Sequence, residues 1–138
     1  MKVKCIANSG QILSKKELNL GIPKNYIREY LKINKIYNVY GIMLCNNVLS
    51  YLIYPGSAKF EQVDLFEVID DAIPPEWHYA CFNQSDSDKS GSPVQAMWGY
   101  KELVRDINHN SNLSQGSEEA IKVFFRRKLE IDNWEDTK

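Results

Sequence analysis

The chain up to about residue 83 consists of short apolar runs separated by turn residues, the pattern of β-strands. Val3 to Ala7 is the first run, and Asn8-Ser9-Gly10 ends it. Ile36 to Leu44 and Val48 to Tyr54 flank Asn46-Asn47, and asparagine tolerates the positive φ of a tight hairpin turn. Both of these runs are apolar at even and odd positions alike. We therefore predict a hairpin that is covered on both of its faces.

Val63 to Ile69 and Trp77 to Phe82 predict two further strands. Ser14-Lys15-Lys16-Glu17 has the form of a capping box and predicts a short helix that Gly21-Ile22-Pro23 would end. Residues 26–31 fit either a strand or a short helix. Residues 84–92 lie in a polar run typical of a flexible loop.

Beyond residue 92 the apolar spacing becomes helical. Ser92-Pro93 is typical of a helix start, and an apolar stripe at helical spacing follows at Tyr100, Leu103, Val104 and Ile107. Residues 108–112 predict a break. Ser117, followed by Glu118 and Glu119, then predicts a second helix start. Its apolar face comprises Ala120, Ile121, Phe124, Phe125 and Leu129, and residues 132–138 are expected to fray.

A chain of 138 residues with 43% apolar and 25% charged residues suits one globular domain. We therefore predict a single α+β domain over residues 1–138. Residues 1–83 would be mainly β and form a curled antiparallel sheet or partial barrel. Residues 84–92 would be a flexible loop, and residues 93–131 would be helical, with two helices packed on the sheet.

The net charge of −1 hides a marked asymmetry along the chain. Residues 1–40 contain eight Lys or Arg against two acids, and residues 41–100 contain two Lys against eight acids. Such a distribution either solvates two faces or steers a partner of opposite charge.

Three cysteines, Cys5, Cys45 and Cys81, are far apart and lie in apolar runs. This pattern predicts free, buried thiols in a reducing compartment. No run has the length of a membrane span, and the first residues do not resemble a signal peptide. The expected location is the cytoplasm.

Candidate chemistry is sparse. His78-x-x-Cys81 has one pair of potential metal ligands but no second pair, and no nucleophile elbow or phosphate-binding glycine loop is present. We expect neither a metal nor another cofactor, and we expect a binding protein rather than an enzyme.

Acidic residues around two aromatic residues form the best candidate for a binding surface. Carboxylates accelerate encounter with a basic protein, and aromatic anchors hold it. The predicted partner-binding residues are Asp64, Glu67, Asp70, Asp71, Glu76, Trp77, Tyr79, Asp86 and Asp88. An alternative is nucleic-acid binding by the basic N-terminal third and by the segment from Lys122 to Lys128.

Parts of the chain resemble small bacterial proteins with a Src-homology-3-like barrel. The resemblance is carried by Ile36-Tyr37-Asn38-Val39-Tyr40-Gly41 with the hairpin after it, by residues 63–68, and by helical segments around 99–104 and 119–128. Some such proteins resemble immunity proteins of contact-dependent or polymorphic toxin systems. The resemblance implies a protein that binds and neutralises a cognate toxin, expected to be a basic nuclease, by covering its active site.

Overall fold

The computed structural model of the protein describes residues 1–9, 26–82 and 93–138. Within these ranges the chain is α+β, as predicted. Its strands are β1 (Lys2–Cys5), β2 (Ile36–Asn38), β3 (Gly41–Cys45), β4 (Val48–Ile53), β5 (Lys59–Gln62), β6 (Phe66–Asp70), β7 (His78–Cys81) and β8 (Val94–Gly99). Its helices are α1 (Lys101–Arg105), α2 (His109–Ser114) and α3 (Glu118–Thr137). None of these helices is both long and apolar enough to cross a bilayer. The helix predicted near residue 14 and the loop at 84–92 lie outside the described residues.

The strands form two antiparallel sheets instead of a single curled one. A small sheet has the order β2-β1-β6, and a larger sheet has the order β5-β4-β3-β8-β7. The run predicted as one strand from Ile36 to Leu44 divides at Val39 and Tyr40, where the chain passes between the sheets. These two neighbours are buried in different cores. The chain must therefore turn at this point, which a pattern of uninterrupted β-formers does not reveal.

The predicted hairpin is confirmed and is covered on both faces. Asn46 and Asn47 adopt φ values of 50° and 62° between β3 and β4. Tyr51 and Ile53 of β4 belong to a first core, which is shared with the small sheet. Leu52 points the other way, into a second core shared with the helices. The larger sheet is therefore the middle layer, with the small sheet on one face and the helices on the other.

The predicted helix start at residues 92–95 is wrong, because Val94–Gly99 is strand β8. It lies between β3 and β7 and pairs antiparallel with both. Two neighbouring strands satisfy its backbone groups, and this long-range pairing outweighs the local helix signal of Ser92-Pro93. The helix predicted from the apolar stripe that follows is limited to the five residues of α1, in which Leu103 and Val104 are buried.

The strand predicted over Val63 to Ile69 begins three residues late, at Phe66. A single 3-10 turn, Val63–Leu65, precedes it. Strand β5, which pairs with β4 at the edge of the larger sheet, was not predicted from the sequence.

The C-terminal third contains three helices, where two were predicted. The break expected at residues 108–112 is wrong, because α2 begins at His109 within it. His109 is buried, and its ring nitrogen lies 2.7 Å from the Tyr100 hydroxyl. Residues 132–137, expected to fray, continue α3, because Ile131 and Glu135 are buried there. Phe125 and Leu129, assigned to the apolar face, are instead exposed.

Residues 26–31 form neither a regular strand nor a helix in the structure. They are attached to β5 by a buried ion pair, in which Arg28 Nε lies 2.7 Å from Glu61 Oε2. The Tyr30 hydroxyl also contacts the Glu61 carboxylate. Removing one member of such a pair leaves a buried charge without compensation, so this network fixes the segment in place.

Candidate functional site

Seven of the nine predicted partner-binding residues lie in the described part of the chain, on a stretch that we call the acidic segment (residues 64–79). Asp64 is in the 3-10 turn, and Glu67 and Asp70 are in β6. Asp71 follows that strand. The remaining three, Glu76, Trp77 and Tyr79, lie before and within β7. Asp86 and Asp88 are outside the described residues.

Two acids of the segment are already paired within the protein. Glu67 Oε2 lies 3.8 Å from Lys4 Nζ, and Asp70 Oδ2 lies 2.8 Å from Lys138 Nζ. The hydrogen bond from Lys138 lowers the pKa of Asp70. Asp71 and Glu76 are exposed and form no ion pair with any residue that the structure describes. Asp71 and Glu76 are therefore exposed carboxylates that a basic partner can reach without competition.

The two predicted aromatic anchors have different environments. Tyr79 is 49% exposed, and its ring stacks on Trp98 with the centroids 5.0 Å apart. Trp77 is half-buried and packs against the first core. Its indole N–H is buried and has no hydrogen-bond acceptor among the described residues. Tyr79 thus presents a ring to solvent, whereas Trp77 holds the acidic segment against the body of the protein.

A groove of about 780 Å³ lies between the acidic segment and α3. Its walls come from three separate parts of the chain. They are formed by Pro74, Pro75, Glu76, Trp77, His78, Tyr100, Lys101, Arg127, Glu130, Ile131 and Trp134. The volume falls within the range of about 300–1,000 Å³ that is usual for ligand sites. Its aromatic and apolar walls suit a side chain or short segment of a partner.

The groove carries charges of both signs, but its arginine is neutralised. Arg127 donates to both carboxylate oxygens of Glu102, at 2.7 and 2.8 Å, and to Glu130 at 3.0 Å. The hydrogen bonds from Arg127 lower the pKa of Glu102 to about 2. Lys101 forms no ion pair with a described residue. A groove that binds an anion would need Arg127 to be free. Here the Arg127 guanidinium is already bonded to Glu102 and Glu130, so the groove is not expected to bind an anion through it.

Next to the groove, one ammonium group is already bound by carboxylates and an aromatic ring. Lys138 Nζ lies 4.5 Å from the centroid of Trp134. The same nitrogen lies 2.8 Å from Glu135 and 2.8 Å from Asp70. Cation–π and carboxylate contacts of this kind are the means by which a surface recognises Lys or Arg.

The basic residues of α3 are all paired. Lys122 lies 3.7 Å from Glu118, Arg126 3.2 Å from Glu102, and Lys128 2.7 Å from Asp132. Phe124, which lies within this basic segment, is buried in the second core. These contacts disfavour the helix as a nucleic-acid interface, since its cations are engaged before any phosphate arrives.

The cysteines were predicted to be buried, and this is wrong for Cys81. Cys5 is buried and Cys45 is half-buried, whereas Cys81 is exposed on edge strand β7. Burial raises the pKa of Cys5 and of Cys45. Among the residues that the structure describes, no group of three or more His, Cys, Asp or Glu side chains is arranged to hold a metal ion.

Two residues of the groove, Tyr100 and Trp134, were not predicted from the sequence to belong to a site. Tyr100 was assigned to a helical stripe, and Trp134 to a frayed end. A signal for Trp134 was present, because Ile131 and Trp134 continue the three-to-four-residue spacing that starts at Phe124.

Comparison with known proteins finds no matching family model, no matching curated protein and no matching solved structure.

Proposed function

We propose that this chain is a binding protein that engages a basic protein partner through the acidic segment and the adjoining groove. The observation that carries the proposal is the position of the exposed, unpaired carboxylate of Glu76 on the wall of a groove with aromatic residues. Asp71, which is also exposed and unpaired among the described residues, lies three residues before the start of that wall at Pro74. Carboxylates at a rim accelerate encounter with a basic surface, and an apolar groove receives the anchor side chain.

The class of partner that we propose is a bacterial toxin, which makes the chain an immunity protein. The resemblance to Src-homology-3-like immunity proteins supports this class. The packing of the small sheet on β4 is compatible with a partly open barrel of that type. Neutralisation would occur by occlusion, because a protein that covers a basic active site excludes its substrate. The free thiols of Cys5, Cys45 and Cys81 support a reducing location such as the cytoplasm.

Binding is favoured over catalysis by the state of the polar groups. Arg127 and Glu102 neutralise each other at the groove wall. Burial raises the pKa of the Cys5 and Cys45 thiols, which is the reverse of what activates a nucleophile.

The test is capture of the partner by tagged protein from a bacterial extract at moderate salt. We compare the wild type with a double variant, Asp71→Lys with Glu76→Lys, and with a matched control, Glu119→Lys with Asp136→Lys. The control makes the same change of net charge at exposed residues of α3.

We expect the wild type and the control to recover one basic protein at a near 1:1 ratio. The double variant should bind it about 100-fold more weakly, since each reversal costs about 1.4 kcal/mol. Equal binding by the two variants would show that the acidic segment is not the interface. Recovery of RNA or DNA without a stoichiometric protein would overturn the proposal.

A further inference from the structure

We infer that β6 is an open docking edge, which accepts an extended segment of the partner as an added strand of the small sheet. This inference rests on the proposed function, because it states how the basic partner is bound beside the groove. Among the strands that the structure describes, β6 lies at the edge of the small sheet and pairs with β1 alone. It also leads directly into the groove wall at Pro74.

β6 is the most exposed edge in the described part of the molecule. Glu67, Val68 and Ile69 are three consecutive exposed residues, with Val68 at 43% and Ile69 at 44%. The other edge strands, β2, β5 and β7, show no such run. Proteins usually protect an apolar edge with lysine, proline or a covering loop, because an open edge pairs with other chains.

The backbone groups of Val68 point outward. Val68 faces Val3 of β1. The odd-numbered residues of β1 direct their backbone groups towards β2, because the Cys5 N–H donates to the Lys35 carbonyl at 2.9 Å, just before β2 begins. Val68 therefore directs its N–H and C=O away from β1, and so does the carbonyl of Phe66. The N–H of Phe66 already donates a hydrogen bond to the Val63 carbonyl. Three backbone groups are thus available to an added strand.

A bulge at Ile69 limits how far the added strand can run. The register with β1 shifts there, since Val3 faces Val68 while Lys2 faces Asp70. Bulges commonly redirect a side chain at a functional edge. Here the bulge ends the regular ladder after Val68 and leaves Ile69 exposed beside Asp71.

Charge determines what kind of strand fits. β6 already pairs with a strand of alternating basic and apolar residues, as Lys4 faces Glu67 and Val3 faces Val68. A second copy of β6 would instead bring two copies of Glu67 near each other on one face, and like charges at that distance are unfavourable. The occupant is therefore a Lys- or Arg-rich extended segment of the partner, with apolar residues at alternate positions.

The experiment uses the full chain and a peptide probe, and needs no knowledge of the natural partner. The probe is an acetylated and amidated peptide of nine alternating Lys and Val residues. Its control is the same peptide N-methylated at the three central residues, which keeps every charge and side chain but removes backbone donors. Amide hydrogen exchange is followed by nuclear magnetic resonance.

We expect the probe to slow exchange of the Val68 amide about tenfold at saturation, the effect of one hydrogen bond worth about 1.4 kcal/mol. The N-methylated peptide should leave it unchanged. Val68→Ala should retain the peptide-induced shifts in β6, while Val68→Pro, which lacks the donor, should lose them. Equal protection by both peptides, or protection at β2, β5 or β7 instead, would overturn the inference. So would concentration-dependent protection of Val68 without peptide, because it would identify a second copy as the occupant.

The two proposals fail separately. If Asp71→Lys with Glu76→Lys abolishes capture of the natural partner but the probe does not protect Val68, strand addition is wrong and the proposed function stands. If the probe protects Val68 but the double reversal leaves capture intact, the edge accepts strands and the proposed acidic interface is wrong.

Discussion

The acidic segment and helix α3 are both rich in charge, but they use it differently. On α3, Lys122, Arg126, Arg127 and Lys128 each have a carboxylate within 3.7 Å. In the acidic segment, Asp71 and Glu76 have no such partner among the described residues. Charges that are paired within the protein stabilise the fold, and charges left unpaired are available for recognition. Three measurements can test this division, and a fourth tests a buried titratable side chain that lies outside both regions.

The largest effect is expected from Glu102, which binds two arginines of α3. Glu102→Ala should lower the free energy of unfolding by about 2 kcal/mol, between the values for exposed and fully buried ion pairs. Urea denaturation measures it. The control is Lys122→Ala, whose exposed pair with Glu118 should contribute about 0.3 kcal/mol. Similar losses of unfolding free energy from the two variants would contradict the expectation that Glu102 of α1 is the main stabilising partner of the α3 arginines.

Acid should weaken the same site. The pKa of Glu102 is about 2 in the folded protein, against 4.5 for an unperturbed glutamate, and the hydrogen bond from Arg127 is the main cause. The unfolded chain therefore binds the proton more readily, so this contribution is present above pH 4.5 and is lost as the pH falls towards 2. In denaturation experiments across that interval, the free energy of unfolding should fall less steeply with decreasing pH in Glu102→Gln than in the wild type. Parallel curves would rule out this linkage.

A smaller pH effect is expected from His109, which is buried at the start of α2 against Tyr100. Burial lowers the pKa of His109 below 6.5, against the opposing influence of Asp106 and Glu102. The unfolded chain takes up the proton first, so stability should fall as the pH drops below 6.5. Thermal unfolding at neutral pH and at about pH 5.5 checks this. Between neutral pH and the acidic pH, the melting temperature of His109→Gln should fall less than that of the wild type. An equal fall in both proteins would exclude His109 as the cause.

The smallest effect is expected in the acidic segment itself. Asp71→Asn and Glu76→Gln should each change the free energy of unfolding by less than about 0.5 kcal/mol, as exposed residues without partners usually do. The same substitutions should weaken capture of a basic partner. A large loss of stability would show that these carboxylates are structural, and the contrast with α3 would then fail.

Much of the fold could be predicted from local pattern. The hairpin at Asn46-Asn47, β7 and the start of α3 at Ser117 all have signals within a few residues. β8 could not be predicted in this way. What makes residues 94–99 a strand is the pair of neighbours β3 and β7, and the local sequence resembles a helix start.

The candidate site was predicted in part for the same reason. Local composition identified the acidic segment and Trp77. It could not show that Lys138, far along the chain, would neutralise Asp70, or that Trp134 would form the opposite wall of the groove. Pairing between distant residues decides which charges remain available, and a single sequence carries no direct signal for it.

The position of β8 also determines when the protein can fold during synthesis. The larger sheet has β3 and β8 side by side at its centre, and the small sheet joins β1 to β6. A ribosome that has released only the first half of the chain therefore displays a hairpin with one open flank and an apolar face. Closure must wait for residue 99 and then for α3, which covers that face. Domains dominated by such non-local pairings fold in milliseconds to seconds. Until residues 94–99 and then α3 have been synthesised, the nascent chain is thus expected to leave this face open to aggregation or to chaperones.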